Sequence, residues 1–207
     1  MTHRRQPTVP PPNPKPGVSR APVVFVIALI TTWLLGMHAV IEGVRAIDIV
    51  RSPLSESLSA FEGTEISDAM QRAFIEGVSA HSGVTLPVGI AQLLLGALLA
   101  LVSIRGLMGR RGSLAFALQV LAANALLVLV VYLVHDPVRG SVIEALVAEL
   151  VRERPPEITR GEFESVSRMS LIWGFRFSLS AQLIGFAFAG FVMTRKSVRH
   201  LFDQPKG

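Results

Sequence analysis

Apolar positions along the chain gather into four long runs, near residues 22–44, 84–105, 113–134 and 169–193, with polar connections of unequal length between them. Each run comes close to the roughly 20 apolar residues that a helix needs to cross about 30 Å of hydrocarbon. The pattern therefore predicts four transmembrane helices. The first, within residues 22–51, PVVFVIALITTWLLGMHAVIEGVRAIDIVR, meets no charge before Glu42 and then carries His38, Glu42 and Arg45 along one face. It is too long for a secretory signal and no A-x-A site follows it, so it is expected to remain as a membrane anchor.

The connections carry their own helical signals. In residues 64–80, Ile66, Ala69, Met70, Ala73 and Phe74 recur at helical spacing. In residues 141–154, Ser141 and Glu144 read as a capping box, and Ile143, Leu146, Val147 and Leu150 form one apolar face before Pro155-Pro156 stops the helix. Thr159 and Glu162 read as a second box, opening a helix that continues into span four. The expected fold is an all-α membrane protein, a four-transmembrane-helix bundle with two short amphipathic helices in the extracytoplasmic loops 45–83 and 135–168. Residues 1–21 are expected to be a disordered, Pro-rich, basic tail, residues 22–195 the membrane domain, and residues 196–207 a second tail.

Composition agrees with this layout: half of the 207 residues are hydrophobic and 17% are charged. The absence of cysteine excludes disulfides, thiolate metal sites and thiol redox chemistry. The net charge of +5 would suggest nucleic acid until the charges are mapped. Arg4, Arg5, Lys15, Arg20, Arg105, Arg110, Arg111, Arg195, Lys196, Arg199 and Lys206 all fall on one side, with only Asp203 for company. The two long loops hold 13 acids against 8 arginines. The positive-inside rule then puts both termini in the cytoplasm of a plasma (inner) membrane. The basic excess is a topology signal, and no nucleic-acid partner is implied.

Candidate chemistry is confined to a few polar residues inside the spans. Arg176 is a charge well within span four, at the depth of His38 on span one, and an arginine there costs a few kcal/mol unless it pairs or snorkels. Equal depth suggests a polar cluster of His38, Glu42, Arg45 and Arg176, with Glu42 and Arg176 as an ion pair; snorkelling of Arg176 past Trp173 is the competing reading. Small residues mark helix-packing faces: Gly89, Gln92 and Gly96 on span two, and Gly174, Ser178, Gly185 and Ala189 on span four. Gln92, Gln119, Asn124 and Gln182 either bridge helices or line a polar path.

His81 and His135 sit at span ends, where a metal is conceivable, but no ligand pair is spaced within a helix, and no metal or cofactor is expected. No nucleotide loop, HExxH motif or Ser-His-Asp order is present. The sequence thus points to a non-enzymatic accessory or assembly component that contacts lipid and other membrane proteins, or itself, through its outer cap or small-residue faces. The alternative is an oligomeric small-solute or ion transporter or channel using Glu42, Arg176 and the intramembrane amides.

Overall fold

The computed structural model describes residues 23–52, 65–108, 114–152, 159–196 and 198. These form six helices, with no strand among the described residues: α1 Val23–Arg51, α2 Glu65–Ala80, α3 Ser82–Leu107, α4 Leu114–Val134, α5 Asp136–Arg152 and α6 Arg160–Thr194. The N-terminal tail, Arg110, Arg111, Pro155-Pro156 and the last nine residues lie outside the described set. Helices α1, α3, α4 and α6 are each long and apolar enough to cross a membrane. At 1.5 Å per residue the 35-residue α6 is about 52 Å long, well over the thickness of a hydrocarbon core of about 30 Å.

The α1–α3 pair is the tightest contact. A Cβ on Gly43 would lie 2.6 Å from Leu93 N and 2.7 Å from Gly89 O, and one on Gly36 would lie 2.8 Å from Ala100 N. A Cβ on Gly96 would lie 2.7 Å from Gly36 O. Glycines seven residues apart on each helix thus place backbone directly on backbone. That close approach is a main source of helix association where no hydrophobic effect operates between helices. Two fully buried hydroxyls continue the seam without disturbing it, because each donates to the carbonyl one turn back: Thr32 Oγ1 to Ala28 O at 2.7 Å and Ser103 Oγ to Leu99 O at 2.8 Å.

The remaining contacts run from α3 to α4, from α4 to α6 and from α6 back to α1, while α2 packs on α5. Two apolar clusters fill the space between the long helices. One joins Phe25, Ala28 and Leu29 to Ala117, Val192 and Met193; the other joins Leu99, Val120 and Leu121 to Phe186 and Ala189. Two more sit at the α2–α5 end: Ile49 with Ile75, Val78 and Val138, and Ala73 with Val142 and Leu146, against Leu171 and Phe175.

The start of α5 corrects the sequence reading. The helix begins at Asp136, five residues before Ser141, and only His135 separates it from α4. Asp136-Pro137 explains this: proline at the first positions of a helix has its φ preset and leaves no donor orphaned, and an acid there favours the N-terminal dipole. Ser141 is therefore interior and donates to Val138 O at 2.8 Å, while Glu144 is free to reach Arg168 on α6 at 2.9 Å. At the other box, Thr159 donates to the Glu162 carboxylate at 2.6 Å, with no side-chain bond from Thr159 to the backbone of α6.

Gly43→Ala is expected to lower stability in detergent by about 1–3 kcal/mol, because backbone on both sides must move apart. Gly174→Ala, where nothing lies within 4 Å of the new methyl, should be neutral or raise stability by up to about 1 kcal/mol, since alanine is the better helix former. Thermal melts followed by circular dichroism would compare the two; equal effects would mean the α1–α3 seam is not close-packed.

Candidate functional site

A cavity of about 370 Å³ lies between α1, α4 and α6, beneath α2 and α5. Its floor is the cluster around Leu99, Leu121 and Phe186, and its roof is the apolar packing of α2 on α5. From α1 it is lined by Leu35, His38, Ala39, Glu42 and Arg45, a single face set by helical periodicity. From α6 it is lined by Phe175, Ser178, Leu179, Gln182 and Phe186, and from α4 and α5 by Asn124, Val128, Tyr132, His135 and Arg139. Helix α3 contributes Gln92.

Four of the lining residues are exposed: His38 and Arg45 on α1, Met70 on α2 and Ser178 on α6. The mouth accordingly lies between α1 and α6, under the edge of α2. Below it the two helices touch, and a Cβ on Gly185 would lie 3.1 Å from Leu35 Cδ1.

The structure brings together three of the four residues in the expected polar cluster. His38, Glu42 and Arg45 share the cavity; Arg176 does not line it. Arg176 is exposed, with its guanidinium 5.5 Å from the Trp173 ring centre. It follows Phe175 in the chain and so sits about 100° round the helix from that lining residue. The expected Glu42–Arg176 ion pair is absent: among the described residues the pairs are Arg139–Asp136, Arg152–Glu149, Arg168–Glu144 and Arg168–Glu164. Equal depth was the only ground for the pair, and helix rotation separates the two side chains.

The packing residues divide in the same way. Gly89 and Gly96 form the α1–α3 seam, Gly185 meets α1 and Ala189 is fully buried, while Gly174 and Ser178 are exposed. Gln92, Asn124 and Gln182 reach the cavity, and Gln119 is exposed elsewhere. Asn124 Nδ2 donates to Leu95 O at 3.1 Å and to Val120 O at 2.9 Å, so this amide also ties α4 to α3.

Charges inside the cavity are only partly compensated. Arg139 is held by Asp136 at 2.7 Å, donates to Tyr132 O and lies 3.7 Å from the centre of the Tyr132 ring. Arg45 lies over Phe74 at 5.0 Å. Glu42 has no hydrogen bond or ion pair among the described residues, and on a helix able to cross a membrane an unpartnered carboxylate is a functional candidate. His135 Nε2 is enclosed without a hydrogen-bond partner. Burial holds the His135 pKa below the usual imidazole value, helped by Arg139 and His81 and opposed by Glu42. His81 itself turns back to Gly77 O at 2.9 Å. Among the described residues no three His, Asp or Glu side chains converge to hold a metal.

Tyr132 and Arg139 escaped the sequence reading. Their one available signal was Asp136-Pro137, which makes the α4–α5 junction a tight corner and brings position 139 back over position 132.

Two outcomes follow from this geometry. Arg176→Leu should change stability by less than about 1 kcal/mol, the scale of an exposed cation–π contact, whereas a loss of several kcal/mol in a detergent melt would point to a buried partner. Because the folded pKa of His135 is lowered, the unfolded chain binds more protons below about pH 6.5. Stability should therefore fall as pH drops through that value and towards the folded pKa, and His135→Gln should flatten this dependence in melts between pH 5 and 8. Scans of the chain against protein-family models, curated proteins and solved structures gave no match, so the site's role rests on its own residues.

Proposed function

We propose that this is a non-enzymatic four-helix membrane bundle that receives a small amphipathic molecule in its cavity. In this reading α2 and α5 form a cap on the extracytoplasmic side of a plasma (inner) membrane, and both termini are cytoplasmic. The observation that carries it is the pairing of an open, polar-lined cavity next to the cap with packed apolar clusters in the opposite half. Ligand sites characteristically combine apolar walls with a few convergent polar groups. Glu42, Gln92, Gln182 and His135 supply those groups here, among walls of Phe175, Leu179 and Val128. The volume suits a headgroup or a small solute, while the clusters around Leu29 and Leu99 argue against a continuous pore. That favours a binding or carrier role over a channel.

An accessory role in assembly keeps one observation in its favour. Gly174 and Ser178, one turn apart on α6, are both exposed, a small-residue pair of the kind another membrane helix can approach. Gly89 and Gly96 offer no such surface, being consumed by α1.

One preparation addresses both readings. Protein extracted in mild detergent should release a bound small molecule on solvent extraction and mass spectrometry. Leu179→Trp, which fills the cavity, should reduce its occupancy about tenfold, equivalent to about 1.4 kcal/mol. Phe177→Trp, on the 76%-exposed neighbour outside the cavity, should not. A co-purifying protein without any small molecule would favour the accessory role instead.

A further inference from the structure

Building on the reading of the cavity as a ligand site, we propose that it takes the headgroup of a zwitterionic aminophospholipid from the adjoining leaflet. The lipid ammonium sits at Glu42, its phosphate at Arg45, and its chains lie outside between α1 and α6.

The charges come first. Glu42 and Arg45 are one turn apart on the same face of α1, and both line the cavity, yet they form no ion pair. Arg45 lies over Phe74 instead. Arg139 is already engaged by Asp136 and Tyr132. Among the described residues, the charges left to meet a ligand are therefore one carboxylate and one guanidinium, which sum to zero at a spacing of about 4.5 Å along the helix. An anionic headgroup would satisfy Arg45 but confront Glu42 with like charge. A headgroup that carries both signs satisfies both residues, and each charge-assisted contact is stronger than its neutral counterpart.

The mouth decides the source. It opens sideways between α1 and α6, bordered by His38 and Ser178. Beside it Leu34 and Ile41 on α1 are apolar and exposed, and Phe177 and Ile184 are exposed on the outer face of α6, about 100–120° round from Ser178. On helices long and apolar enough to cross a membrane, such surfaces face acyl chains. A lipid reaches this mouth by lateral diffusion, without leaving the bilayer.

Volume sets the depth of entry. About 370 Å³ falls at the lower end of the range of about 300–1,000 Å³ for small-molecule sites. That accommodates a headgroup but not two acyl chains. The floor of Leu99, Leu121 and Phe186 prevents deeper passage, so the headgroup is held at the level of Glu42.

The test uses the full chain, delipidated in mild detergent, with short-chain phosphatidylethanolamine, short-chain phosphatidylglycerol and free phosphoethanolamine as probes. Retention is read by native mass spectrometry and binding by titration. Phosphatidylethanolamine should bind at least about tenfold more tightly than phosphatidylglycerol, and free phosphoethanolamine should not bind at the same concentrations. Glu42→Gln and Arg45→Gln should each remove the headgroup preference, with Arg45→Lys partly restoring it. Circular dichroism and gel filtration establish that each variant is folded, and Glu42→Asp serves as a second carboxylate variant that retains the preference. Equal binding of the two lipids, or a preference that survives both Gln variants, overturns the headgroup assignment but leaves the cavity a ligand site. Tight binding of free phosphoethanolamine overturns entry from the bilayer. Binding of no probe, together with no Leu179→Trp effect on co-purifying molecules, overturns both readings.

Discussion

Backbone contact between α1 and α3 is the constraint on which the rest of the molecule depends. With no room for a Cβ on Gly43 beside Leu93 N and Gly89 O, or on Gly36 beside Gly96 and Ala100, neither helix can rotate without driving a side chain into main chain. That fixes the azimuth of α1. Glu42 precedes Gly43, so it must point about 100° away from the seam. His38 and Arg45 follow on the same side, and all three are delivered to the space between α1, α4 and α6.

The cavity exists because the apolar packing is uneven along the helices. Large side chains fill one half, where Leu29, Met193, Leu99 and Phe186 interlock. At the other end α2 and α5 pack chiefly on each other, with Gly77 allowing close approach to Val138 and Ser141, and they roof the space without filling it. Polar groups tolerate this location because several find internal partners: Asn124 bridges to Leu95 O, and Arg139 is satisfied by Asp136 and Tyr132. Among the described residues Glu42 is the exception: it lines the cavity without a hydrogen bond or ion pair.

Arg176 shows how a sound premise can mislead. Residue counting put it level with His38 on α1. Counting along two helices fixes height, but pairing also requires rotation about both axes, and α6 turns Arg176 to the exposed side beside Trp173. The residues one step before and two after it, Phe175 and Ser178, are the ones that face the cavity. Likewise, Ser141 and Glu144 had the right spacing for a cap, but Asp136-Pro137 had already started the helix.

What the sequence determined by itself was the set of one-dimensional properties. Run lengths specified four helices able to cross a membrane, glycine spacing on span two marked a packing face, and the polar residues within the spans included His38, Glu42, Gln92, Asn124 and Gln182, which line the cavity. These are legible because hydrophobic length and helical period are local and additive. Only the tertiary structure decided which polar groups meet: Glu42 with His135 and Gln182 around one cavity, Arg139 turned back on Tyr132, and Arg176 left outside. Those outcomes depend on the rotation and separation of helices distant in sequence. Packing of the Gly36–Gly96 kind sets both, and no periodicity within a single helix encodes them.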